Sequence, residues 1–136
     1  MARTVQVSFD AADPELLLRF WCAVLGYEPE PLTEQARTGL LAMGLDPDAS
    51  GRLFAAAVDP AGTGPRLLAH HVPEGKPAKN RLHLDVHLGA GTGPEQVAAE
   101  VERLVALGAR HLRTQSEHGS HWAVLTDPEG NEFCVA

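Results

Sequence analysis

One nine-residue stretch, RLHLDVHLG (residues 81–89), combines the pattern of a β-strand with side chains that can bind a metal or move a proton. His83, Asp85 and His87 alternate with apolar residues, and a period of two predicts a strand with two different faces. At the usual strand rise, His83 and Asp85 lie about 6.6 Å apart on one face, close enough to bind one ion or to pair with each other. His87 lies about 13 Å from His83, which is too far for the same site, so we interpret it as structural. The alternation leaves open whether this polar face is solvated or lines a cavity.

All seven histidines fall between residues 70 and 121, and two pairs of neighbours carry alternatives. His70 and His71 are adjacent in RLLAHHV, so strand alternation sends them to opposite faces. The same holds for His121 and Trp122, of which only one can face inward. An inward His121 would be an acid–base or ligand-contacting group, whereas an inward Trp122 would form the wall of an aromatic pocket.

The two cysteines, Cys22 and Cys134, have no C-x-x-C spacing, which excludes a zinc ribbon and a thioredoxin motif. In a cytosolic chain they are expected to be reduced. A free cysteine in a terminal strand is most often a small buried hydrophobe, and the position of Cys134 favours this interpretation. His111 and His118 lie in turn-like surroundings and are expected to be solvated.

Composition narrows the class of protein. The chain has 136 residues, 44% of them hydrophobic, which suits one folded domain. Its formal net charge is -7 and its 11 Lys and Arg are scattered, which argues against a nucleic-acid partner. No apolar run approaches the roughly 20 residues needed to cross a bilayer, and no signal peptide follows Met1, so we expect no membrane partner and a cytoplasmic location.

Two segments have the pattern of capped amphipathic helices. In DPELLLRFWCAVLGY (13–27), Asp13 suits the N-cap, Pro14 the first helical position and Gly26 a left-handed C-terminal cap. TGPEQVAAEVERLVALGAR (92–110) has the same organisation, and Gly108 closes it. A strand-like segment precedes each helix, TVQVSF (4–9) and RLHLDVHL (81–88).

The repetition continues downstream of each helix. FAAAVDPAG (54–62) parallels WAVLTDPEG (122–130), and each leads through a proline–glycine turn into a further strand, RLLAHHV (66–72) or EFCVA (132–136). We therefore predict an α+β protein of two paired βαβββ modules that form one cupped, mixed-sheet domain. Module one covers residues 1–72, a polar linker 73–80, and module two 81–136. Region 28–52 has the least legible pattern, and its turn-rich segment MGLDPDASG (43–51) is predicted to be a loop near any pocket.

Three motifs give this chain a resemblance to a known superfamily. They are D-P-x5-F-W-x2-V-L-G-Y in the first helix, VPEGK..KNRLHLDV at 72–86 and the terminal DPEGNEFCV. Together they resemble the vicinal oxygen chelate superfamily, and within it the glyoxalase-like domain proteins. The resemblance implies two half-sheets curled into facing cups that enclose a metal or ligand site, and a homodimer.

The resemblance also implies a set of metal ligands. Aligned on the first helix, Gln6 takes the first ligand position, His83 the next and His70 the third, while Cys134 stands where the enzymes of this superfamily carry a glutamate. Such a site suits a divalent ion of zinc, iron, nickel, cobalt or manganese. Because the cysteine removes a candidate general base, the resemblance argues against methylglyoxal isomerisation itself.

The resemblance leaves two main functions open. One is a small-molecule metalloenzyme of lyase, isomerase or dioxygenase type, in which Asp85 and His121 are candidate acid–base groups and Asp85, His121 and Trp122 contact the substrate. A dioxygenase would need Asp85 as the carboxylate of an iron site. The alternative is a metal-free protein that binds a small molecule or an antibiotic such as bleomycin, which the missing glutamate favours and the aromatic content of 5% disfavours. A degenerate structural or regulatory module is a third possibility.

Overall fold

The chain forms two compact units, Met1–Gly75 and Lys76–Ala136, in a computed structural model that describes all 136 residues. Each unit contains one four-stranded mixed sheet with a helix packed on it. The predicted α+β class is confirmed.

The first unit builds its sheet in the order β1–β4–β3–β2, with β1 parallel to β4 and the other pairs antiparallel. Its elements are β1 (Gln6–Ala11), α1 (Pro14–Leu25), β2 (Glu28–Pro29), α2 (Glu34–Ala42), a 3₁₀ helix (Pro47–Arg52), β3 (Phe54–Val58) and β4 (Arg66–His71).

Helix α1 begins and ends where its capping residues predict. The Asp13 carboxylate accepts a hydrogen bond from the Leu16 amide at 3.0 Å, and Gly26 adopts φ +70° after the last turn. The apolar stripe is buried, and Trp21 stacks on Phe9 of β1 with ring centroids 5.7 Å apart. This packing fixes which face of the first sheet is covered, so Gln6 and the other alternate residues of β1 lie on the exposed face.

Region 28–52 contains more regular structure than its sequence pattern indicates, and a 3₁₀ helix occupies part of the predicted loop at 43–51. It contains β2, α2 and the 3₁₀ helix, and the Thr33 side chain caps α2 by accepting from the Ala36 amide at 3.1 Å. Of the residues in α2 only Leu40 is buried. A helix with so little apolar surface has no clear hydrophobic period, which explains why the pattern missed it.

The second unit orders its sheet β5–β8–β7–β6, with β5 parallel to β8 and the remaining pairs antiparallel. Helix α3 packs on one face through Val97 and Leu104, which are fully buried. The elements are β5 (Leu84–Val86), α3 (Pro94–Ala106), β6 (Arg110–Glu117), β7 (Ser120–Thr126) and β8 (Glu132–Val135).

Two local expectations in this unit are wrong. The strand predicted over residues 81–88 is only three residues long, because β5 pairs with β8 at three positions, and Leu82 outside it is 74% exposed. His111, expected in a turn, lies within β6, whereas His118 does lie in the β6–β7 turn at φ +50°.

None of the helices combines the length and the apolar character needed to cross a bilayer.

Candidate metal and substrate site

The second sheet has one face covered by α3 and a second face that points away from that helix. Phe133, Val135 and Leu125 are buried on the helix side. Because side chains alternate along a strand, their neighbours Cys134 and Val124 lie on the other face. We call this second face the distal face.

Strand register sets out the distal face in rows. Asp85 of β5 pairs with Cys134 of β8, Cys134 pairs with Val124 of β7, and Val124 pairs with Arg113 of β6. Neighbouring strands are about 4.8 Å apart, so these four residues form one line across the sheet.

At one end of this row three potential ligands converge. His83, Asp85 and Cys134 each offer one donor atom, and the three atoms lie within 4.8 Å of one another. His83 Nδ1 is 3.5 Å from Asp85 Oδ1, so the histidine just before β5 does approach the carboxylate within it, as their spacing predicts. The His83 and Asp85 side chains are 43% and 54% exposed, which leaves the cluster accessible to an ion or a small molecule.

The donor set fits a divalent metal. Bond lengths of about 2.0–2.3 Å in a tetrahedral site place neighbouring ligand atoms roughly 3.5 Å apart, which small side-chain rotations achieve from this arrangement. One imidazole, one carboxylate and one thiolate suit zinc, iron, cobalt or nickel. Three protein ligands leave a position for water or substrate, the arrangement typical of catalytic rather than structural sites.

The surroundings of Cys134 disfavour its thiolate form when no cation is bound. Burial raises the pKa of the Cys134 thiol, and the Asp85 carboxylate raises it further through its charge and a hydrogen bond from the thiol. The charges of Arg113 and Lys79 act weakly in the opposite direction. A metal ion therefore has to displace the thiol proton when it binds.

Glu132 anchors the segment that leads into His83. Its carboxylate accepts from Lys76 Nζ at 3.0 Å and from the Asn80 amide at 3.0 Å, and Asn80 Nδ2 donates to Asn131 Oδ1 at 3.3 Å. The bond from the Asn80 amide, followed by the bond from Lys76, lowers the pKa of Glu132 to about 2. Residues 76–80, which the sequence predicts as a linker, are thus bound to the start of β8. In the sequence, the charged Lys76 and the polar Asn80 within PEGKPAKN (73–80) are the residues that indicate this contact.

The alternative between His121 and Trp122 is decided by register. Trp122 pairs with Gln115 and lies next to Ala123, which is fully buried on the helix side, so Trp122 is on the distal face. His121 is on the opposite side, where its Nδ1 contacts the Ser116 hydroxyl. Of the predicted substrate-contacting residues, Asp85 and Trp122 share the face of the cluster and His121 does not.

Sequence comparison decides the family. The profile of the glyoxalase-like domain family matches residues 6–136. The chain belongs to this family. No curated protein matches the glyoxalase-like chain significantly, and its relatives are found among solved structures.

The family match over residues 6–136 confirms the resemblance to glyoxalase-like domain proteins seen in the sequence. The solved structures, some of which are described as members of the glyoxalase/bleomycin resistance/dioxygenase superfamily, share the fold. A glyoxalase-related enzyme from Fulvimarina pelagi is 18% identical, with a TM-score of 0.67 over 100% of this chain and 88% of that one. A superfamily enzyme from Burkholderia phytofirmans is also 18% identical, with a TM-score of 0.66 over 98% and 97% of the two chains. A mutant of the fosfomycin resistance protein FosX from Listeria monocytogenes, in complex with Mn(II) and 1S,2S-dihydroxypropylphosphonic acid, is 10% identical, with a TM-score of 0.66 over 99% and 89%. At these identities the likeness concerns the fold.

The other two predicted ligands of the glyoxalase-like protein lie in the first unit and already have protein partners. Gln6 accepts a hydrogen bond from Arg66 at 2.7 Å, and His70 Nε2 lies 2.9 Å from Asp10 Oδ1. The pairs Gln6–Arg66 and Asp10–His70 are four residues apart along β1, or about 13 Å. The first unit therefore does not bring Gln6 and His70 together.

The first unit contains a pocket that the sequence did not predict. It has a volume of about 270 Å³ and lies between the β2–α2 segment and β3. Apolar side chains dominate its wall. Arg66 lies at its edge and donates two hydrogen bonds to Glu30, whose carboxylate balances the arginine charge. Its wall is built by residues of region 28–52, where the sequence pattern is weakest, together with residues of β3 and with Arg66 of β4. The lining residues used below are Pro29, Leu32 and Phe54.

Proposed function

We propose that this glyoxalase-like protein is a small-molecule enzyme that uses a divalent metal ion bound by His83, Asp85 and Cys134. The observation that carries the proposal is the convergence of an imidazole, a carboxylate and a thiol within 4.8 Å on the distal face. The FosX structure, which contains Mn(II) with a small organic acid, supports it at the level of the fold.

The donor set favours a lyase or isomerase over a dioxygenase. Iron dioxygenases of the facial-triad type use two histidines and one carboxylate, and this cluster has one histidine. When bound, the ion would polarise a substrate oxygen or lower the pKa of a coordinated water. Asp85 is then the residue placed to accept a proton, since His121, the other candidate acid–base group, lies on the helix side of the sheet. Trp122 supplies an apolar wall on the same face.

Metal analysis of four variants tests the proposal. Protein purified without a tag and incubated with Zn²⁺ or Mn²⁺ should retain about one equivalent after dialysis. His83→Ala and Cys134→Ser should lose it. His111→Ala and Cys22→Ser are matched controls that change a histidine and a half-buried cysteine outside the cluster, and they should retain the metal. Equal metal content in all four variants, or none in the wild type, would contradict the proposal.

A metal-free binding protein is the second candidate, and the pocket of 270 Å³ in the first unit favours it. A mostly apolar wall with Phe54, Pro29 and Leu32 suits a compact organic molecule whose binding needs no ion. Thermal-shift screening of an antibiotic panel in the presence of EDTA separates the two functions. Stabilisation that survives EDTA and the His83→Ala change, and that is lost in Phe54→Ala, would support the binding protein.

A further inference from the structure

A β-bulge in β6 determines which of its side chains face the candidate metal site. His111 pairs with Leu125 and Arg113 with Val124, so two residues of β6 span one step of β7 and Leu112 is the extra residue. Without this bulge Leu112 would pair with Val124, and Arg113 would fall on the side covered by α3. The bulge therefore brings Arg113 onto the distal face.

The guanidinium of Arg113 has unused hydrogen-bonding capacity. Its Nε donates to Gln115 Oε1 at 3.2 Å, and this is the one hydrogen bond that the side chain makes. No carboxylate forms an ion pair with it, in contrast to Arg66 and Arg103, which pair with Glu30 and Glu100. An exposed guanidinium with two free NH₂ groups matches the geometry of a carboxylate or a phosphonate.

Arg113 lies in the same row of the distal face as the His83–Asp85–Cys134 cluster. Arg113 is the last residue of the row that begins with Asp85 and Cys134, and Val124 lies between. Two strand spacings, about 10 Å, separate the Cα atoms of Cys134 and Arg113, a distance that a small organic acid and the arginine side chain span together. Val124 is nearly buried and apolar, so it forms a floor, and Trp122 stands diagonally beside Arg113 as a wall.

We propose that Arg113 binds the oxyanion of a small carboxylate or phosphonate substrate whose other end reaches the His83–Asp85–Cys134 cluster. The inference rests on the proposed function for the identity of the reacting end. It goes beyond that function by naming the substrate class and the residue that orients it. Arg113 is a substrate-positioning residue, and the bulge at Leu112 is the feature of the backbone that places it.

Fluorine NMR of protein labelled with 5-fluorotryptophan provides a test that does not depend on activity. The chain has two tryptophans, Trp21 buried in the first unit and Trp122 on the distal face, and a Trp122→Phe variant assigns the two signals. Zinc-loaded protein is titrated with succinate and, separately, with propylphosphonate, which distinguish the two oxyanions. Succinamide is the neutral control. We expect a saturable shift of the Trp122 signal with at least one oxyanion, no shift with succinamide and an unchanged Trp21 signal.

Three variants identify the cation that is responsible. Arg113→Gln should weaken oxyanion binding about tenfold or more, and Arg113→Lys should restore part of it, because lysine keeps the charge but not the planar fork. Arg103→Gln removes the same charge from α3 and should bind like the wild type. All variants should retain zinc and the native Trp21 signal.

The outcomes separate the two proposals. Wild-type affinity in Arg113→Gln, or a Trp122 signal that no oxyanion moves in zinc-loaded protein, would overturn the role of Arg113 and leave the metal site intact. A wild type that binds no zinc, yet binds an oxyanion in an Arg113-dependent way, would overturn the metal proposal and support the oxyanion site.

Discussion

Replacing Glu132 with glutamine is expected to destabilise the second unit and to weaken metal binding, although Glu132 is not in the ligand cluster. Its carboxylate accepts hydrogen bonds from Lys76 Nζ and from the Asn80 amide, each at 3.0 Å. Hydrogen bonds to charged groups contribute about 1.5–3 kcal/mol each. The Lys76 and Glu132 side chains are 23% and 17% exposed, so solvent screens the ion pair in part and glutamine keeps one acceptor. We therefore expect a loss of about 2 kcal/mol in the free energy of unfolding.

Urea unfolding of the metal-free protein at neutral pH measures this loss. With a slope of about 1–3 kcal/mol per molar urea, the midpoint should fall by roughly 1 M. Zinc affinity should fall about tenfold, because residues 76–80 position the segment that carries His83. Glu102→Gln, a change of the same charge at an exposed position of α3, is the control and should leave both quantities unchanged. The reasoning is refuted if Glu132→Gln costs less than about 0.5 kcal/mol or behaves like the control.

Three further predictions concern other parts of the molecule. The Thr63 hydroxyl and nearby backbone amides lower the pKa of Asp59 from 3.8 to about 2. The ionised carboxylate therefore stabilises the folded state at pH values above 3.8, and this stabilisation is lost as the pH falls toward 2. The melting temperature of Asp59→Asn should lie below that of the wild type at pH 6, and the two should converge near pH 2. Cys134→Asp replaces a soft ligand with a hard one and should raise the affinity for Mn²⁺ relative to Zn²⁺, which competition titration with the two ions measures. Phe133→Ala empties a fully buried position beneath α3 and should cost about 3–5 kcal/mol in urea unfolding, whereas a loss under 1 kcal/mol would mean that the second unit is packed differently.

Local signals in the sequence predict the parts of the fold that are determined locally. Asp13, Pro14 and Gly26 mark both ends of α1 because each residue satisfies the backbone at a helix terminus. The spacing of His83 and Asp85 predicts that they approach each other, because side chains two residues apart in an extended segment lie on the same side, and this holds although His83 lies just before β5. The repeat of strand, helix and turn predicts two modules of similar architecture, and each unit has the mixed sheet that such a module requires.

The remaining features depend on pairing between distant segments. Asp85 joins Cys134 in the cluster through the parallel register of β5 and β8, which no local pattern specifies. The same limitation applies to His121 and Trp122, since alternation says that they differ but register is needed to say which faces the cluster. The bulge at Leu112 shifts the phase of β6 by one residue, so alternation counted from Arg110 would place Arg113 on the wrong face. Helix α2 was missed because it buries one residue and has little hydrophobic period.

X-ray absorption spectroscopy of the zinc-loaded protein tests the central claim most directly. The account predicts one sulfur at about 2.3 Å from the zinc, together with nitrogen or oxygen ligands at about 2.0–2.2 Å. Cys134→Ser should remove the sulfur contribution, whereas Cys22→Ser should leave it unchanged. A zinc ion surrounded only by nitrogen and oxygen in the wild type, or a sulfur signal that survives in Cys134→Ser, would contradict the account.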